Sequence, residues 1–292
     1  MDHQTEWRLD AARALAEKLK GKAGIRAIIA GGSAARGYAD VYSDLELIAY
    51  WDRVPGTEEK RVISGELGAV HRYPEIDHGH ESALEIEGFP VDLWHKSITE
   101  EEDVLDRVMK DLSTDLVDNN VVDTVRTGIP LYGEELVQGW QKRTEPYPDE
   151  LARRFLDEYL PHFHLRQVQF AAHRNNPAAF YNILSNIHSS LFIVLLALNG
   201  SYFPTYKWMF KRLHELPAKP ENLEWRLREM YREAPTDAAD RLREVLGETL
   251  ELVEAQYPDL DIDFPDTAWT SHCRSGSLTV RLIRINRDKE MD

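Results

Sequence analysis

Apolar residues recur every three or four positions through "WRLDAARALAEKLKGKAG" and stop at Gly21 and Gly24, which predicts an opening helix ending at those glycines. The β-branched run "IRAIIA" reads as a strand, turned by Gly31-Gly32-Ser33 into "SAARGYA", which has room for one or two helical turns. "DLELIAYW" is the second strand and "TEEKRVISGELGAV" the next helix. "SALEIEGFPVDLWHKS" reads as two strands joined by a tight turn at Gly88-Phe89-Pro90, with helices following over Glu100–Lys110 and Leu112–Arg126. Strands interleaved with helices in this way predict an α/β unit with a mixed sheet.

The pattern then changes. "RTEPYPDE", Arg143 to Glu150, is charged and rich in proline, as a linker is. Beyond it the periodicity is helical to about Pro258, with Pro177, Pro204, Pro217 and Pro220 marking starts and stops. "LFIVLLALNG" is an apolar run shorter than a bilayer span and reads as a buried helix. "SLTVRLIRIN" fits a late strand or a helix. The expected class is α+β: an N-terminal α/β domain with a mixed sheet over residues 1–143, followed by an all-α helical-bundle domain over 144–292.

Composition narrows the function classes. With 42% hydrophobic and 10% aromatic residues, a chain of 292 has enough apolar material for real cores. The first twenty residues are charged from the start and carry no apolar signal-peptide region. A single cysteine, Cys273, excludes internal disulfides and a cysteine zinc cage, and a cytoplasmic location without membrane attachment is expected. The net charge of −16, with no Lys/Arg cluster, argues against a nucleic-acid polymer as partner and favours cationic small molecules.

Against that background, carboxylates inside apolar runs stand out, because burying them costs free energy unless something pairs with them. Asp44 and Glu46 alternate in a predicted strand, so they project from one face about 7 Å apart. Asp92 sits in "PVDLWH", again between apolar neighbours. If the two strands are adjacent, three carboxylates converge, as a site for one Mg²⁺ or for two ions about 4 Å apart requires. Gly31-Gly32-Ser33 just upstream could offer backbone N–H groups and a hydroxyl to a phosphate. A solvated strand face is the plain alternative. "GSAARG" has the spacing of a Walker A loop, but Tyr38 stands where its Lys is required, and G-x-G-x-x-G is absent here.

"GGSAARGYADVYSDLEL" resembles the signature of the DNA polymerase β-like nucleotidyltransferase superfamily, most nearly the minimal nucleotidyltransferases and aminoglycoside adenylyltransferases. Gly32, Ser33, Arg36, Ser43, Asp44 and Glu46 fill that pattern, with Glu46 where a second Asp is commoner, and Asp92 fits its third acid. The resemblance covers about the first hundred residues. It implies transfer of a nucleoside monophosphate, AMP first, from a Mg-bound NTP to an acceptor hydroxyl, with release of pyrophosphate. Asp44, Glu46 and Asp92 would hold the metal, Asp92 could take the acceptor's proton, and Ser33, Ser43 and Arg36 would meet the phosphates. "LNGSYFPTYKWMF" resembles a segment of nucleotidyltransferase-like proteins with helical C-terminal domains, in which a lysine holds triphosphate; Lys207 fills that place. An aminoglycoside-like acceptor is expected in a cleft between domains. AMPylation of a protein or tRNA, or nucleotide binding without turnover, are the rival expectations.

Other polar residues are read conservatively. His78 and His80 fit a polar loop better than a metal site, and His162 and His164 do not face one another. Arg166 and His173 match only a short RNase-like spacing. Tyr181, Asn182, Ser185 and His188 either line a cleft or are satisfied buried groups, and Trp208 either stacks on a base or packs between helices.

Overall fold

The structure is a computed structural model in which residues 3–73 and 80–260 are described. His78, Cys273 and the "SLTVRLIRIN" segment lie outside the described residues. Mixed α+β architecture is observed, with a six-stranded sheet and twelve α-helices among those residues.

Helix α1 (His3–Leu19) buries Thr5, Arg8, Leu9, Ala12, Leu15, Ala16 and Leu19, a single stripe at helical spacing. Strand β1 (Ile25–Ala30) leads through Gly31 into the short α2 (Gly32–Arg36), and β2 (Leu45–Trp51) returns antiparallel to β1. Helix α3 (Thr57–Leu67) precedes β3 (Val70–His71), β4 (Glu81–Ile86) and β5 (Phe89–Ser97). Helices α4 (Ile98–Met109) and α5 (Leu116–Thr127) follow, then β6 (Ile129–Tyr132) and α6 (Glu134–Arg143). The sheet order is β3-β4-β5-β2-β1-β6, antiparallel throughout except for the parallel pair β2 and β5.

Period-two alternation assigns the two faces of the sheet. Leu45, Leu47, Ala49, Trp51, Val91 and Leu93 pack with the apolar stripes of α1 and α3. On the other face Tyr50 meets Trp140 of α6 edge-on at 4.8 Å and donates its hydroxyl to Glu101 of α4 at 3.0 Å. Glu46 and Asp92 belong to this second face, at the end where β2 begins.

The β4–β5 turn falls one residue earlier than expected. Glu87 and Gly88 form it, both at positive φ (52° and 81°), as the twist of a two-residue hairpin favours. Phe89 and Pro90 are therefore strand residues. Pairing of β5 with β2 starts at Val91, so the missing N–H of Pro90 breaks no bond on that side.

The chain after α6 contains α7 (Asp149–Tyr159), α8 (Leu165–His173), α9 (Pro177–Leu198), α10 (Met209–Glu215), α11 (Leu223–Glu229) and α12 (Pro235–Gln256). The apolar run at 191–198 is the second half of α9, which extends upstream through Tyr181–His188. At 22 residues, with an 18-residue window of mean hydropathy 1.5, α9 is long and apolar enough to cross a membrane by length and composition, and 67% of that window is buried by protein.

Packing gathers the chain into two compact units. Among the described residues, one holds those up to Glu158 together with Ile193–Pro217, the other Tyr159–Phe192 with those from Ala218 on. The segment carrying Lys207 thus groups with the sheet. In the second unit α12 packs on α8 and α11, and His188 is buried with its ring nitrogens 3.3 Å from Met230 Sδ and 3.2 Å from the Tyr231 hydroxyl. That is the satisfied-polar reading of His188. Its burial lowers the imidazole pKa to about 4.

Candidate functional site

The Gly-Gly-Ser turn is built around a close approach. Gly31 N–H donates to the Glu46 carbonyl at 3.0 Å, tying the turn to β2. Gly32 sits at φ +59°, and a Cβ there would lie 2.5 Å from Glu46 Oε2 and 3.2 Å from Glu46 Cβ. Only glycine lets the backbone stand so close to this carboxylate. Ser33, Gly32 and Ala34 are buried, and the Ser33 carbonyl accepts from Tyr38 N–H at 2.9 Å.

Glu46 faces Asp92 directly, because the two are register partners in the parallel pair, and Asp44 precedes β2 by one residue. Burial pushes the Glu46 carboxyl above the ordinary carboxylate range; Arg36 opposes the rise, while Asp44 and Asp92 add to it and Lys207 opposes it again. Asp92 is raised too, first by burial and then by Asp44 and Glu81, against an ion pair with Arg72. The three acids therefore share one electrostatic neighbourhood. Among the described residues, however, no three His, Cys, Asp or Glu side chains stand close enough to hold a metal ion as they are placed. Asp92 is turned to Arg72 instead.

Two residues expected at the phosphates have partners within the protein. Arg36 donates through Nε (3.0 Å) and Nη2 (2.6 Å) to Asp123 Oδ2 on α5, with side chains only 5% and 2% exposed. Arg212 of α10 donates to the other oxygen, Asp123 Oδ1, at 2.7 Å. Ser43 accepts from Asp40 N–H and donates to Asp40 Oδ1, both at 3.0 Å, closing the loop before β2. Contact of either residue with a phosphate requires exchange of these bonds. Lys207 lies on a 3₁₀ turn, Tyr206–Trp208, its ammonium 5.4 Å from the Trp208 ring and near enough to act electrostatically on both Glu46 and Asp40. Trp208 packs on Tyr38 with ring centroids 5.6 Å apart, and the Tyr38 hydroxyl donates to Glu215.

Sequence reading missed Arg8 and Asp123. Arg8 is 1% exposed, stacks on Trp7 and Phe89, and donates to the carbonyls of Ser43 (2.6 Å) and Asp40 (2.8 Å), so α1 holds the loop leading to Asp44. Its place in the apolar stripe of α1 was the available signal. Asp123 lies in "VVDTV", an acid between apolar pairs, the same anomaly that drew notice to Glu46 and Asp92.

With this geometry in view, comparison with known proteins adds three findings. A family described as a domain of unknown function (DUF4037) matches residues 117–209, from the first turn of α5 to the first residue of α10. That span contains Asp123 and Lys207. Among solved structures, a nucleotidyltransferase-like protein from Exiguobacterium sibiricum 255-15 superposes with a TM-score of 0.40 at 11% identity, over 85% of this chain and 74% of that one. No curated protein matches the chain significantly.

Proposed function

We propose that the chain is a Mg²⁺-dependent nucleotidyltransferase that moves a nucleoside monophosphate, AMP first, from its triphosphate to a hydroxyl of a small cationic acceptor such as an aminoglycoside-like compound. One observation carries the reading: a glycine-only backbone approach at Gly32 onto Glu46, whose register partner is Asp92. The donor set suits the metal in its chemistry, and Asp92 would have to turn from Arg72 to join it. Carboxylate oxygens suit a hard dication, and added positive charge would favour the ionised forms that burial, and then the neighbouring acids, disfavour at Glu46 and Asp92. Asp44, Glu46 and Asp92 would hold it, and bound there it would neutralise charge on the transferring phosphoryl group.

The chain's own groups supply the rest. Backbone N–H groups at Gly32 and Ser33 would meet phosphate oxygens, and Lys207 would bring a cation to the triphosphate. Asp92, with its raised pKa, is the group suited to accept the acceptor's hydroxyl proton. The acceptor oxygen then bonds to the α-phosphorus as the bond to the bridging oxygen breaks, and pyrophosphate leaves. The net charge of −16 supports a cationic acceptor over a polyanion such as tRNA.

A second reading, nucleotide binding without turnover, draws on the Asp92–Arg72 ion pair, which engages the carboxylate proposed as base. Pyrophosphate release from each of the four NTPs with Mg²⁺, against pooled amino-alcohol and aminoglycoside acceptors, separates the two. Turnover abolished by Asp44→Asn supports transfer. Calorimetric NTP binding with no pyrophosphate in any pool supports the second reading or a protein acceptor, and absence of binding overturns both.

A further inference from the structure

Thr205 is the most strained non-glycine backbone position among the described residues. Its φ of 137° and ψ of 161° lie in a region occupied essentially by glycine alone. Its Oγ1 is buried with no hydrogen-bond partner, a second cost at the same residue. Glycine would remove both.

Contacts hold the chain on either side of this residue. On the upstream side, Asn120 of α5 donates its amide to the Pro204 carbonyl at 2.6 Å, and the Tyr202 hydroxyl donates to the Thr144 carbonyl at 3.0 Å. On the downstream side, Trp208 packs on Tyr38, and Arg212 grips Asp123, one turn along α5 from Asn120. The chain is held on both sides of Thr205 to one helix, and the strained dihedral lies between the two anchors. Lys207 rides on the 3₁₀ turn that starts at the next residue.

We propose that Thr205 is a positioning residue: a strained hinge holding the Tyr206–Trp208 turn in a raised-energy free conformation, which relaxes when Lys207 advances onto an anionic ligand. The proposal rests on the reading of Lys207 as a triphosphate-binding group. Strain released on binding adds to affinity, so a change that removes strain from the free state weakens binding while raising stability.

Thr205→Gly removes the strain and the orphan hydroxyl; Thr205→Ala removes the hydroxyl but keeps the Cβ and hence the strain. Both variants should melt at or above the wild-type temperature. Backbone amide exchange over 205–208 should slow in Thr205→Gly alone, because the alternative position of the turn becomes less populated. Mg-ATP should bind about tenfold more weakly to Thr205→Gly and equally well to Thr205→Ala and wild type. Equal exchange in Thr205→Gly and wild type overturns the hinge, as does equal loss of affinity in both variants, which would assign the effect to the hydroxyl. If wild type binds no Mg-ATP, the functional reading fails, and the exchange comparison still decides the hinge.

Discussion

Two glycines a short distance apart allow the close approach at Gly32 to be weighed against backbone strain alone. Gly32 and Gly37 both sit at positive φ, 59° and 71°, so an alanine at either carries a similar conformational cost. That cost is roughly 1–2 kcal/mol, of which about 0.5 is offset by the lower entropy of the unfolded chain. A Cβ at Gly37 meets nothing within 4 Å, whereas one at Gly32 meets the Glu46 carboxylate at 2.5 Å. Glu46 is held by β2 and largely buried, so making room costs a further 1–3 kcal/mol or so, the range for forced overpacking. Gly37→Ala should therefore lose about 1 kcal/mol and Gly32→Ala about 2–4 kcal/mol in urea denaturation followed by tryptophan fluorescence. Only Gly32→Ala should also impair Mg-ATP binding. Equal losses for the two variants would refute the claim that the backbone is pressed against Glu46.

Glu46 has a folded pKa above its ordinary 4.5, so between the two values the folded chain keeps a proton that the unfolded chain has released. Stability falls as pH rises through that window; Glu46→Gln should be more stable than wild type at pH 7, the gap closing below about pH 4.5 in parallel urea titrations. His188 works in the opposite sense: its pKa drops from 6.5 to about 4, so stability is lost as pH falls across that interval, and His188→Phe should flatten the dependence by the equivalent of one proton. Arg8→Met strips the Ser43 and Asp40 carbonyls of a buried donor and should cost about 2–4 kcal/mol in chemical denaturation. Asp123→Asn leaves Arg36 and Arg212 without their shared carboxylate and should cost about 3–5 kcal/mol, read from the same denaturation midpoints.

Local pattern carried much of the first hundred residues. The span of β1, the start of the helix at Thr57 and the glycine stop after α1 followed from periodicity and turn residues, because each is set by neighbours in the chain; the helix expected to run to Val70 ends at Leu67, with Gly68 at positive φ and Val70 already in β3. β3 and β6 were not read. One has two residues and the other is "IPLY", and both owe their existence to pairing with β4 and β1. The carboxylates were legible because a charge in an apolar run is anomalous in one dimension. The partners of Arg36 and Asp92 were not, since Asp123 and Arg72 reach them only through tertiary packing. The same holds for Thr205: no residue type announces a strain that lies between two anchors on a helix some eighty residues upstream.

Pairing of β2 with β5 is the sole parallel ladder among the described residues, and it has a kinetic meaning. Antiparallel neighbours can zip from a tight turn, whereas parallel neighbours need a long crossover closed first. Glu46 meets Asp92 only after the chain between them, α3 and the β4–β5 hairpin included, has found its place. No fragment ending before β5 can assemble the carboxylate pair. The pair is therefore a late product of folding, present only once β5 has docked beside β2.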